Sequence, residues 1–258
     1  GITLRFSPDD FHPSKKDGYG PDWPITYDEL SPHYDFIEKF CGIYGQKDDI
    51  KEVPNGKYIG EIPLTNNETI FGNQIKSKLN YPFIQSRGFD RNSSVKEDKW
   101  PKSSSVGTTL KKALNTGNVQ ILSNHLVESF EIDKITELAS KIIIVNLENG
   151  QRVALKCELI ILCASTISTL RILLNSENKS NSSGFKDTSE KLGKYLMDHI
   201  SICRFFSVPN SIQTKDISNS YPELSGAGSF FIPFGTNLPK PESINFLRGY
   251  GIWGAIDR

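Results

Sequence analysis

No apolar run in this chain of 258 residues approaches the roughly 20 residues that cross a bilayer as a helix. The longest, Leu159 to Ala164, has the length of a strand, so no transmembrane segment is read within the chain. Neither sign of charge is in surplus: 30 Lys and Arg face 30 Asp and Glu, and the basic excess of a nucleic-acid binder is missing. The four cysteines (Cys41, Cys157, Cys163, Cys203) form no C-x-x-C pair and stand among apolar neighbours, which reads as buried reduced thiols, not disulfides or metal ligands. The four histidines are scattered at positions 12, 33, 125 and 199, and no metal site is visible. A dinucleotide-binding G-x-G-x-x-G string is also lacking. Gly18-Tyr19-Gly20 and Gly226-Ala227-Gly228 both want the third glycine and a following helix. The chain opens on Gly1, not Met, and both termini are apolar or aromatic, which reads as the interior of a larger protein. Its compartment stays open, with a cytoplasmic one favoured.

The residues present read as a mixed α and β chain. Residues 1–25 are punctuated by Pro13, Gly18, Gly20, Pro21 and Pro24 as a loop is. Thr26-Tyr27-Asp28-Glu29 has capping-box spacing, Ser31-Pro32 offers a second helix start, and Tyr34, Ile37, Phe40 and Cys41 recur as one apolar helical face. A helix is expected near 68–80, an irregular loop over 86–101, and a helix after Ser103 to Ser105 that stops before Gly117. Strand signals follow at Val119–Ile121, Leu126–Ile132, Lys141–Leu147 and Arg152–Leu155, with Asn149-Gly150 as a hairpin turn. Leu159–Cys163 lacks alternation, as a strand covered on both faces does. Ala164-Ser165-Thr166 turns it directly into a helix, and beyond a Ser/Asn/Lys loop at 175–190 short strands are expected near 199–207, 225–233 and 247–254. A buried strand feeding a helix through small residues brings backbone N–H groups to one point, a geometry that suits a nucleotide.

Three longer segments carry a resemblance. Leu162-Cys163-Ala164-Ser165-Thr166-Ile167-Ser168-Thr169-Leu170-Arg171-Ile172-Leu173-Leu174 resembles the second signature of the glucose-methanol-choline (GMC) oxidoreductases, which are FAD enzymes. Asp22-Trp23-Pro24-Ile25-Thr26-Tyr27-Asp28-Glu29-Leu30-Ser31-Pro32-His33-Tyr34 and Leu192-Gly193-Lys194-Tyr195-Leu196-Met197-Asp198-His199 are similar to two further motifs of that family's bacterial sugar- and choline-dehydrogenase-like branch. Two departures stand out: Ser165 where glycine or another small residue is usual, and Leu170 where proline is frequent.

The resemblance implies an α+β / α/β architecture, part of a Rossmann-like FAD-binding domain interleaved with an antiparallel-sheet substrate domain. Residues 1–25 would connect to the FAD domain, 26–102 would begin the substrate domain, 103–196 would form the middle of the FAD domain, and 197–258 would resume the substrate domain. FAD is the implied cofactor, Val127 the strand residue whose main chain would meet adenine, and Ala164 and Ser165 the turn that approaches the nucleotide. The implied substrate is a small-molecule alcohol or sugar, with the electron acceptor open and no nucleic-acid partner. The family's catalytic histidine has no counterpart here, and His199 reads as structural. A binding module that uses the same fold without redox chemistry is the competing expectation.

Overall fold

A computed structural model describes residues 3–18, 20–89, 103–133, 135–176, 187–206, 230–234 and 249–256. The chain divides into two compact units, one of Gly1–Val119 with Val208–Arg258 and a smaller one of Gln120–Ser207. Both combine helices with antiparallel strands.

In the larger unit, Pro8–Phe11 forms a 3-10 turn and Pro13–Asp17 a short helix, α1. Helix α2, Tyr27–Cys41, starts at Thr26 because a reciprocal capping box forms there. Glu29 N–H donates to Thr26 Oγ1 at 3.3 Å, and Thr26 N–H donates to Glu29 Oε2 at 2.8 Å. Ser31-Pro32 is therefore no helix start; Pro32 lies inside α2. Gly42, at φ +73, ends the helix in the left-handed region that glycine enters freely. Helix α3, Asn66–Leu79, repeats the device with Thr65 and Glu68 and stops at left-handed Asn80.

Helix α3 lies against the core of a three-stranded sheet. That sheet has the order β2 (Ile84–Gln85), β7 (Phe230–Phe234), β8 (Tyr250–Gly254). Phe83 stacks on Phe230 at 4.8 Å between ring centroids, Phe71 of α3 meets Phe83 edge-on, and Ile232 completes the buried cluster. Just beyond β2 the chain enters a second small sheet, where β3 (Gly88–Phe89) pairs with β1 (Ile43–Tyr44). Helix α4, Thr109–Leu114, begins several residues after Ser103–Ser105, and left-handed Gly117 follows it. Val119–Ile121 forms no strand. Much of the loop expected over 86–101 lies outside the described residues, as do Gly226-Ala227-Gly228 and most of the 175–190 loop.

The smaller unit holds the hairpin in the expected place. Strands β4 (His125–Ile132), β5 (Ala139–Asn146) and β6 (Arg152–Lys156) form an antiparallel sheet in sequence order, with Gly150 at φ +71 in the β5–β6 turn. The register slips between Val127 and Ser129, a bulge that leaves Glu128 as the extra residue. Helix α5, Thr166–Ser176, packs on β4.

Two expectations fail in this unit. Leu159–Cys163 makes no ladder and Leu159 and Ile161 are exposed, because no described strand runs beside them. The segment 201–206 is likewise without strand pairing. The cysteines are free, but they are not all buried: Cys163 and Cys203 are exposed, since each lies in one of these uncovered segments, while Cys41 and Cys157 are half-buried.

Candidate functional site

The three residues singled out as nucleotide contacts all belong to the smaller unit. Val127 is half-buried on β4, opposite Ile144 of β5 and one residue before the bulge. Because β4 is an edge strand, its outer side is open to α5. Asn175 Nδ2 donates to the Glu128 carbonyl at 3.1 Å, Phe130 N–H donates to Ser176 Oγ at 2.8 Å, and Ser176 Oγ donates back to the Ile172 carbonyl at 2.6 Å. These bonds tie the C-terminal end of α5 to the bulge. Glu128 is further held by Arg152 through Nε and Nη2, the latter at 2.9 Å from Oε1, which pulls the Glu128 carboxyl below its ordinary range.

Ala164 and Ser165 stand at the opposite end. Both are exposed, and Ser165 carries φ +73, so the backbone reverses within one residue and enters α5 at Thr166. The Ser165 carbonyl accepts the Thr169 N–H at 2.8 Å, which makes Ser165 the boundary residue of the helix. A left-handed backbone is costly for any residue with a Cβ, so this position is one that glycine would occupy without strain. An α-helix rises about 1.5 Å per residue, so α5 holds Ser165 and the bulge beside Val127 roughly 16 Å apart. The structure does not bring the two into one cluster.

His199 is exposed, in a segment without ladder, and its described bond is from its backbone N–H to Asp198 Oδ1 at 2.7 Å. No group of three His, Cys, Asp or Glu side chains among the described residues is placed to hold a metal. No helix among them is long and apolar enough to cross a membrane.

Sequence reasoning missed the most elaborate polar site, which lies in the larger unit. The buried Arg5 guanidinium donates from Nε and Nη2 to Glu38 at 2.8 and 2.6 Å, and to Asp35, Tyr27 and Ser31. Burial by itself lowers the Arg5 pKa, but the bonds to Glu38, Asp35 and Tyr27 outweigh it and raise the pKa. Glu38 also accepts the Lys57 N–H at 2.6 Å. A second buried cation, Arg87, binds Asp48 and the carbonyls of Val53 and Pro54, and lies over the Tyr58 ring. Burial pushes the Tyr58 hydroxyl up to about 12 and raises Asp48 above the usual carboxylate value. A signal existed: Tyr27, Ser31, Tyr34, Asp35 and Glu38 share one face of α2 by helical spacing. Of α2, Glu38 on this polar stripe is the residue fully buried; on the expected apolar face Tyr34, Phe40 and Cys41 are half-buried and Ile37 is exposed.

No protein-family model matches the chain. Two characterised proteins are similar to it, and both are dehydrogenases, so an oxidoreductase is the class that the likeness supports. One is the 2-methyl-1,2-propanediol dehydrogenase of Mycolicibacterium austroafricanum, 23% identical over 229 residues, which are 78% of this chain and 39% of that protein. The other is the fructose dehydrogenase large subunit of Gluconobacter japonicus, 26% identical over 241 residues, 84% of this chain and 44% of that protein. The chain spans less than half the length of either relative.

Proposed function

We propose that the chain is part of an FAD-dependent oxidoreductase of GMC type that takes hydride from an alcohol or sugar hydroxyl. The relatives' own substrates, a diol and fructose, fit that class. The observation that carries the reading is the exposed turn at Ala164–Ser165, inside the signature-like segment and at the N-terminus of a helix of 11 residues. The residues fit a nucleotide there. Both are small, and the first amides of α5 have no intrahelical acceptor to satisfy. Val127 offers main-chain atoms on an edge strand at the far end of α5, so the two contacts would fall on separate parts of an extended cofactor.

Bound FAD supplies the hydride acceptor. The chain's own part is to seat and orient the cofactor: Ala164 and Ser165 by close backbone approach, Val127 by main-chain contact. In this reading residues 103–196 belong to the FAD domain, and 26–102 with 197–258 to the substrate domain. No residue here is assigned the removal of the alcohol proton, and the electron acceptor stays open.

The test is flavin content in the intact parent protein. Ser165→Trp places a large side chain where the nucleotide must approach, so flavin occupancy falls while the far-UV spectrum is kept. Val127→Ala keeps its flavin and costs only packing, about 1 kcal/mol. Equal occupancy in wild type and the tryptophan variant removes the turn from the cofactor site. The 258-residue chain by itself is expected to bind FAD weakly or not at all, and a stoichiometric flavin band in its visible spectrum would contradict this.

A further inference from the structure

We propose that Asn175 and Ser176, at the C-terminal end of α5, are positioning residues that aim Val127 at the nucleotide base and set which base it accepts; this rests on the reading above. The ladder fixes which way Val127 faces. Asn146 N–H donates to the Gln151 carbonyl, on the β6 side, and Leu147 N–H donates to the Asn124 carbonyl, on the β4 side. Alternation along β5 then turns Val145 towards β4 and Ile144 towards β6. Leu126, opposite Val145, uses its main-chain groups in the ladder. Val127, opposite Ile144, turns its N–H and C=O outward, away from β5.

Two outward groups beside it are taken by α5. The Glu128 carbonyl accepts from Asn175 Nδ2 at 3.1 Å, and Phe130 N–H donates to the buried Ser176 Oγ at 2.8 Å. Ser176 is itself fixed, because its Oγ donates to the Ile172 carbonyl one turn back at 2.6 Å. These bonds flank the place where the register slips between Val127 and Ser129. A bulge re-aims its strand, so the direction of the Val127 pair depends on how the extra residue, Glu128, is held. Side chains of α5 hold it.

The chemistry of the occupant follows. The N–H and C=O of one extended residue lie side by side, donor beside acceptor. They match a flat ring that presents an acceptor nitrogen beside an exocyclic amino group, as adenine does at N1 and N6. Hypoxanthine carries N1–H and a 6-oxo group, so it sets donor against donor and acceptor against acceptor. The two bases have nearly the same size, and the edge separates them by unpaired polar groups. Asn175 and Ser176 act through Val127 and do not touch the base.

The intact parent protein, produced without flavin in riboflavin-starved cells, is titrated with FAD and with its hypoxanthine counterpart, followed by flavin fluorescence. Wild type should prefer FAD by at least about tenfold. Ser176→Ala and Asn175→Ala should each lower that preference by about threefold or more, and Ser176→Thr, which keeps the hydroxyl, should retain it. A merely structural role weakens both dinucleotides alike and leaves the ratio untouched. Asn175 is exposed, which keeps its alanine variant foldable. Amide exchange on the flavin-free protein gives a second readout: Val127 N–H should exchange quickly, Phe130 N–H slowly, and Ser176→Ala should release Phe130. An unchanged preference in both alanine variants overturns the assignment, as does a Val127 amide already protected before FAD is added. Wild type that binds FAD without preferring its base also overturns it and leaves the FAD reading standing. Wild type that takes up neither dinucleotide removes the FAD reading and the assignment with it.

Discussion

Truncating Glu38 to alanine tests whether the polar stripe of α2 organises the larger unit. Its carboxylate accepts two bonds from Arg5 and one from the Lys57 N–H, so Glu38→Ala strands a buried guanidinium and a backbone donor together. Breaking a buried ion pair from one side costs about 3–5 kcal/mol. Asp35 still holds Arg5 Nη2, which places the expected loss near the lower end, about 3 kcal/mol. The companion variant Arg5→Met/Glu38→Leu removes both charges and keeps the volume but still strands the Lys57 N–H, so its cost should be about 1–2 kcal/mol, below that of Glu38→Ala. The assay is urea denaturation followed by far-UV circular dichroism on wild type, Arg5→Met, Glu38→Leu and their double variant, with Glu38→Ala alongside. A coupling energy of at least about 2 kcal/mol is expected between residues in direct contact. Additive effects, or a Glu38→Ala loss below about 1 kcal/mol, would show that the network is a solvated surface arrangement and refute the reasoning.

Ser165→Gly relieves a left-handed serine worth about 1–2 kcal/mol and costs about 0.5–1 kcal/mol in unfolded-state freedom, so a small net gain in thermal midpoint is expected; an unchanged or lower midpoint would mean that the turn is not held at φ +73 in solution. Gly72→Leu sets atoms where a Cβ alone already meets the Phe83 ring at 2.6 Å, so a loss of about 1–3 kcal/mol should appear in denaturation, and a neutral result would dissolve the close approach of α3 to the core. Asp187 is held at about 2, first by the Ser189 hydroxyl and then by the Leu192 N–H, so its support for the 187–192 turn is fully present above the ordinary value of 3.8 and is lost as pH falls towards 2. Amide exchange at Leu192 measured down that range should quicken, and Asp187→Asn should flatten the dependence. Asp48 has the opposite sign: burial raises its pKa, so it weighs on the fold as pH rises through the raised value, and its NMR titration should be displaced upward.

Local signals were legible where they are self-contained. Thr26 with Glu29, and Asn149-Gly150 between alternating runs, each carry donor, acceptor and backbone freedom within a few residues, and the structure places a helix start and a hairpin there. Leu159–Cys163 misled because an apolar run reports that a partner is required, not who provides it; the same fact exposes Cys163 and Cys203. Arg5 and Glu38 are separated by 33 positions, and nothing in either neighbourhood alone announces their bond. At the candidate site, the small residues at 164–165 were visible in the sequence, while the left-handed backbone of Ser165 and the anchoring of α5 to the β4 bulge were not. Those depend on three-dimensional register.

Among the described residues the side-chain bonds that anchor α5 to β4 lie at its C-terminal end, which gives the helix a direction of opening. Ile167 in the first turn is exposed, whereas Ile172 and Ser176 are buried and Ser176 is hydrogen-bonded to the strand at Phe130. Fraying must therefore begin beside Ser165 and travel towards Ser176. A ligand seated on the first turn would act where the helix is least secured, converting its loosest amides into its slowest ones without moving the strand beneath. Amide exchange read residue by residue from Ile167 to Ser176 would show this as a gradient that flattens on binding.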